Sequence, residues 1–147
     1  MVAVIQRCSR SSVTTNNKII ARIDRGILVL IGICRGDKLE DADYIANKIS
    51  LLRIFNDKND KMNLSIKDIN GSILIVSQFT LCGNIKKGSR PSFLNAASPE
   101  IGYELYKHTI LYLRKKGIDV HTGKFGAMMD IELINEGPAT FIIDSKV

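Results

Sequence analysis

The sequence predicts an α/β fold: a mixed or antiparallel sheet, rolled into a barrel-like core, with two main helices. Three observations predict it. Short apolar, β-branched runs recur from end to end. Only two segments place apolar residues at three- and four-residue spacing. Strand-like and helix-like segments alternate without a linker, an internal repeat or a low-complexity tail, so residues 1–147 read as one domain.

Residues 2–5 are apolar and β-branched and read as a strand; residues 9–17 are polar, and the apolar pattern resumes over 18–23. Asp24-Arg25-Gly26 is a turn signal, predicting a hairpin into residues 26–33. That second run is apolar on both faces, as in a buried central strand. Asp37 is placed to cap a helix whose apolar positions are Leu39, Ala42, Ile45, Ala46, Ile49 and Leu52. Residues 56–61 are a polar loop. Residues 73–76 form a further buried strand that runs into Ser77-Gln78-Phe79-Thr80, and a basic loop follows over 83–91. Ser98-Pro99-Glu100 opens the second helix with an N-cap, a proline at the first position and an acid in the first turn. Ile101, Leu105, Thr109 and Leu113 mark its inner side, and Lys115-Lys116-Gly117 ends it. Residues 119–122, 129–134 and 139–143 complete the strands.

Composition narrows the function. With 45% hydrophobic and 24% charged residues in 147, a chain of this size buries roughly 68–70% of its unfolded surface and needs neither metal nor disulfide to fold. Cys8, Cys34 and Cys82 are odd in number and lack a C-x-x-C, and His108 and His121 supply no ligand spacing, so no metal site is expected. Three cysteines beside apolar stretches suit a reducing cytoplasm. No apolar run reaches the ~18 residues of a membrane span, and the first residues are too short in their apolar run for a signal peptide. A net charge of +6 suits a polyanion partner such as nucleic acid as well as it suits a solvated surface.

Two short polar interruptions stand beside strands: Ser77-Gln78-Phe79-Thr80-Leu81 and Asn135-Glu136-Gly137-Pro138-Ala139-Thr140. Neither holds a His, a Cys or a pair of carboxylates, so a site here is built from backbone. Each is also readable as an ordinary turn. Ser77, Thr80 and Ser92 are the hydroxyls at hand, and none has an activating base nearby in sequence. Lys86, Lys87 and Arg90 around Gly88 suit a phosphate or plain solvation. Gly123-Lys124-Phe125-Gly126 presents an aromatic that stacks on a base or fills a core.

Taken together these segments resemble the D-aminoacyl-tRNA deacylase family from end to end. The resemblance is carried by Ala3-Val4-Ile5-Gln6-Arg7, Leu52-Arg53-Ile54-Phe55, Lys61-Met62-Asn63-Leu64-Ser65 and Val76-Ser77-Gln78-Phe79-Thr80-Leu81. It continues through Lys87-Gly88-Ser89-Arg90-Pro91-Ser92-Phe93, Thr122-Gly123-Lys124-Phe125-Gly126-Ala127-Met128-Met129 and Asn135-Glu136-Gly137-Pro138-Ala139-Thr140.

The resemblance implies a homodimer that hydrolyses the ester joining a D-amino acid to tRNA, in the cytoplasm and without a cofactor. It implies that Ser77 and Gln78 lie in the pocket floor and that the Phe79 and Thr80 N–H groups meet the oxyanion. The terminal ribose 2′-hydroxyl then assists an attacking water. A rival role for Thr80, as covalent nucleophile, lacks a visible base. Phe125 and Met129 are implied as walls of an adenosine pocket. Gly137 and Pro138, joined by a cis peptide and supported by Arg7, reach in from the partner subunit to exclude L side chains, which leaves glycyl-tRNA acceptable. Two departures stand out: Ala139 where the family commonly has Val, and Cys82-Gly83-Asn84 where it has an aromatic followed by Ala-Asp. The alternative from the basic charge is a non-catalytic nucleic-acid-binding module.

Overall fold

The computed structural model describes residues 1–86 and 88–146. The chain runs β1 (Val2–Thr15), β2 (Lys18–Ile23), β3 (Gly26–Gly32), α1 (Leu39–Leu51), β4 (Phe55–Asn56), β5 (Met62–Leu64) and β6 (Ser72–Ser77). A 310 turn (Phe79–Cys82), α2 (Pro99–Lys115), β7 (Asp119–Thr122) and β8 (Asp130–Asp144) follow. Six strands form a mixed, nearly closed barrel-like sheet in which β3, β6 and β7 are mutually parallel and the other pairings are antiparallel. β1 organises it. Its residues 2–8 pair with β3 and residues 11–15 with β2, while β8 follows its opposite edge from Asp144 to Asp130.

The run of apolar residues in β3 and β6 is explained by two cores. Ile27, Val29, Ile31, Ile73 and Ile75 face the helices, where they meet Ile45, Ile49 and Leu105. Leu28, Leu74 and Val76 face the inside of the curled sheet, with Cys8, Val13 and Ile23. Both faces are covered, as parallel strands require. Asp37 does not cap α1. Lys38 occupies that position, and the Asp41 carboxylate accepts from the Lys38 N–H at 2.8 Å. Asp37 is buried instead beneath the chain start, accepting from the Cys34 N–H at 2.6 Å and meeting the Met1 ammonium at 2.8 Å. α2 begins as expected, with the Ser98 hydroxyl accepting from the Ile101 N–H. Leu105, Thr109 and Leu113 are buried, but Ile101 is 53% exposed because the chain of the first turn lies at the rim of a cleft.

Three further expectations are corrected. Residues 9–15, though polar, are strand: Ser11 and Val13 are buried, and the Ser11 hydroxyl donates to the Glu132 carbonyl. The hairpin partner of β2 is β1, not β3. The tight turn is Asn16-Asn17, both at positive φ (50° and 59°), the backbone that joins antiparallel strands through two residues. Finally, residues 129–134 and 139–143 are not two strands. β8 runs through Asn135-Glu136-Gly137-Pro138 without a break, because register shifts opposite Cys8 absorb the irregular step. The Gly137–Pro138 peptide within it is cis.

Candidate active site at the strand ends

The carboxyl ends of β3 and β6 open into a cleft of about 620 Å³, the usual place for a ligand on parallel strands. The Gln78 N–H donates to the Ile31 carbonyl at 2.7 Å, so the chain leaving β6 stays against β3 before turning away at Phe79. Gly32 allows that approach. A Cβ there would sit 2.9 Å from the Leu81 Cβ and 3.0 Å from the Gln78 carbonyl oxygen. The opposite wall is the first turn of α2, from Ser98 to Gly102, together with Phe125 and Met129. Phe125 is held by Tyr103 and Tyr106, with ring centroids 5.4 and 5.5 Å away. The Tyr106 hydroxyl donates to the Ile75 carbonyl, and burial raises its pKa.

Among the described residues no Asp, Glu, His, Lys, Arg or Cys lines this cleft. Its distinctive groups are main-chain donors. Phe79 and Thr80 begin the 310 turn, so no carbonyl one turn earlier accepts from their N–H groups. Among the described residues neither N–H meets a loop or side-chain acceptor. The Thr80 hydroxyl accepts a hydrogen bond from the Gln78 amide. His108 is bonded to Asp43 on α1 at 2.7 Å and His121 to Asp119 at 2.9 Å, both outside the cleft. Among the described residues no three His, Cys, Asp or Glu side chains gather as a metal site.

Ser77, Gln78, Phe79, Phe125 and Met129 therefore share one cleft, with Thr80 adjoining on the exposed side of the turn. Arg7, Gly137 and Pro138 form a separate cluster. Arg7 is 3% exposed, and its guanidinium donates to the carbonyls of Ile54 (2.6 Å), Glu136 (3.0 Å) and Gly137 (3.1 Å) and to the Asn56 side chain (3.2 Å). Asn135 adds a bond from its amide to the Arg7 carbonyl at 3.1 Å. Gly137 and Pro138 are exposed and do not line the cleft of their own chain, whereas Ala139 is fully buried. In the basic loop, Lys86, Gly88, Ser89 and Arg90 are exposed, and Lys87 lies outside the described residues. Sequence reasoning missed Ser98, Pro99, Gly102 and Met128 as lining residues. The Ser98-Pro99 helix start was the signal that could have found the first three, since a helix beginning opposite strand ends faces the same opening.

The model of the family described as D-Tyr-tRNA(Tyr) deacylase matches residues 4–144. The chain belongs to that family. Among its similar relatives, a D-aminoacyl-tRNA deacylase of Flavobacterium psychrophilum is 53% identical, over 99% of this chain and 98% of the relative. One of Geobacillus sp. (strain WCH70) is 51% identical over 99% and 96%. Among solved structures, a protein titled c-Myc DNA Unwinding Element Binding Protein superposes with a TM-score of 0.92 at 38% identity, covering 98% of both chains. A probable eukaryotic D-amino acid tRNA deacylase superposes with a TM-score of 0.82 at 20% identity, a likeness of fold, covering 97% of this chain and 98% of that one. A deacylase cleaves an ester with water, so family membership puts the chain among the ester hydrolases. Among the described residues no helix of this deacylase-family chain is long and apolar enough to cross a membrane.

Proposed function

We propose that the chain hydrolyses the ester between a D-amino acid and the terminal ribose of tRNA, releasing both, as a chirality-proofreading step in translation. The observation that carries this reading is a pair of N–H groups, at Phe79 and Thr80, that are unpaired among the described residues, beside a cleft that no described ionisable side chain lines. Such a cleft has no proton-transfer group of its own, which leaves two contributions to the protein. The apolar walls, Phe125 and Met129 among them, hold the terminal adenosine. The two N–H groups meet the carbonyl oxygen as it becomes an oxyanion, typically worth 10²–10³ in rate for each donor.

Water attacks the ester carbonyl carbon, and the neighbouring ribose 2′-hydroxyl relays its proton. The tetrahedral intermediate then collapses, expelling the ribose oxygen, which leaves protonated as tRNA. Thr80 acts through its backbone, since its hydroxyl faces the Gln78 amide and no base.

Chirality is read in this proposal by the exposed Gly137-Pro138 step of a second copy of the chain. The homodimer is supported by the free outer edge of β8, whose Ile142 is 74% exposed and Ile134 45% exposed. Arg7 fixes the Gly137 carbonyl, which crowds a side chain projecting as in an L-amino acid. Glycine, having none, is accepted as well. A substrate that exists where translation runs places the chain in the cytoplasm.

The test is release of tyrosine from matched D- and L-tyrosyl-tRNA. D-selective release is expected; equal rates, or none, would overturn the proposal. A second reading, a nucleic-acid-binding module, is favoured by the +6 charge and by the name of the 38%-identical structural relative. Steeply salt-dependent RNA binding with no ester cleavage would decide for it.

A further inference from the structure

The departure of this chain at Cys82 places a second thiol against the first turn beyond β3. The Cys34 and Cys82 sulfurs are 2.6 Å apart, although the residues are 48 apart in sequence. The two thiols are therefore in direct contact, the placement a disulfide requires of its partners. The two cysteines belong to different segments. Cys34 continues from β3 and bridges Ala96, while Cys82 is the last residue of the 310 turn that begins with Phe79 and Thr80. Gly32, just before Cys34, packs against Leu81 of the same turn.

We propose that Cys34 and Cys82 form a reversible oxidation site, a disulfide that clamps the Phe79–Cys82 turn to the end of β3 and slows ester hydrolysis. The two thiols have unequal roles. Cys34 is half-buried, and its neighbours Arg35 and Ala96 line a second hollow of about 460 Å³. Cys82 is 6% exposed, and burial, reinforced by the adjoining Cys34 and by Asp37, pushes its pKa up to about 12. Cys34 therefore meets the oxidant first, and Cys82 resolves. With a peroxide, the Cys34 sulfur displaces hydroxide from the O–O bond and becomes a sulfenic acid. The Cys82 sulfur then attacks it, forming the S–S bond and expelling the second oxygen as water. The thiols together lose two electrons and two protons, and one peroxide becomes two waters. A dithiol reverses the step. Cys8 is fully buried, and burial raises its pKa to about 11, so it stays a thiol.

The effect on the site follows from position. Closing the sulfurs draws the end of the 310 turn toward β3, and donors whose aim to an oxyanion must be held within fractions of an ångström sit three and two residues away. This consequence rests on the deacylase reading; formation of the bond does not.

The experiment treats the 147-residue protein with a small excess of hydrogen peroxide. It then measures intact mass, the non-reduced digest, free thiols after denaturation, and release of D-tyrosine from D-tyrosyl-tRNA. Expected are a mass lower by two hydrogens, a Cys34–Cys82 linked peptide, and one thiol left of three. A fall in kcat/KM on the order of ten-fold, recovered with dithiothreitol, is also expected. Cys34→Ser and, separately, Cys82→Ser should abolish both the cross-link and the dithiothreitol-reversible loss. Oxygen added to Cys34 without a cross-link, three thiols persisting, or a cross-link that leaves the rate unchanged would each overturn the proposal. If the reduced protein releases no D-tyrosine, the deacylase reading fails while mass and digest still judge the disulfide.

Discussion

The cleft at the end of β6 and the cluster around Arg7 are built on opposite plans. Among the described residues the cleft has donors without partners, the Phe79 and Thr80 N–H groups, and no lining side chain that ionises. The Arg7 cluster has one buried guanidinium, all of whose described partners are oxygens, three of them main-chain carbonyls. One region leaves backbone groups free to meet a ligand, and the other uses a side chain to hold backbone in place. In both, the peptide chain itself is the working surface, and side chains set its shape. Substitutions should therefore act by moving backbone, and those that only remove a polar side chain from the cleft should do little.

The largest effect is expected at Arg7. Arg7→Ala leaves the carbonyls of Ile54, Glu136 and Gly137 without their donor and opens a buried volume, costing about 3–5 kcal/mol in stability by the measure of broken buried ionic networks. Denaturant unfolding checks it. Arg7→Lys should recover only part of the loss, because a point-like ammonium cannot serve the same fork of acceptors. Full recovery by lysine would mean that charge, not geometry, holds the Gly137 carbonyl.

Gly32→Ala is next, and it tests the cleft. The added carbon would meet the Leu81 Cβ at 2.9 Å and the Gln78 carbonyl at 3.0 Å, both parts of the main-chain turn or fixed to it. Relief requires the turn to shift, at about 1–3 kcal/mol of overpacking. A displacement of the donors on the scale that costs up to ~100-fold in rate is expected, with the KM for D-tyrosyl-tRNA changing less than kcat. A variant that is destabilised yet fully active would show that the aim of the turn is unimportant.

These two sites also show what the sequence could and could not say. The motifs around Ser77–Thr80 and Gly137-Pro138 were legible because an interruption of an apolar strand by polar residues is a local signal. So were the two-faced apolar strands, since burial on both sides needs no knowledge of the partner. Strand partners were not legible. Asp24-Arg25-Gly26 looks like a hairpin turn and Asn16-Asn17 lies in a polar stretch, yet positive φ at both asparagines closes the real hairpin. Residues 9–15 read only as polar, with no strand pattern, because Ser11 faces inward and satisfies its hydroxyl on the Glu132 carbonyl, a contact 121 residues away in sequence. Likewise Gly137-Pro138 reads as a turn because its ladder is completed by bulges on β1, on another strand altogether.

Thr80→Ala should matter less than either change. The hydroxyl it removes accepts from Gln78, while the N–H it keeps is the unpaired donor. Hydrolysis of D-tyrosyl-tRNA should stay within about ten-fold of the parent, below the loss typical of a missing oxyanion donor. Abolished turnover with intact tRNA binding would instead make the threonine a covalent nucleophile and would break the distinction between the two regions, since a cleft side chain would then carry the chemistry.

The smallest effect separates the acid response of the cleft from that of the rest of the molecule. Burial pushes the Asp41 carboxyl up, but hydrogen bonds from Lys146, Ser145 and the Lys38 N–H outweigh it and hold the pKa at about 2. A folded pKa below the ordinary value of 3.8 means that the stabilisation is complete above pH 3.8 and is lost as pH falls through about 2. Because Lys146 is half-exposed, solvent screening reduces the contribution to on the order of 1 kcal/mol. Asp41→Asn should cost that much at pH 7, and the gap from the parent should close between pH 4 and 2 in unfolding measurements. Among the described residues no lining side chain of the cleft titrates in this range, so the protein should add no inflection of its own to kcat per folded molecule there. An inflection that Asp41→Asn leaves in place would reveal an ionisable group acting on the reaction from outside the described lining residues.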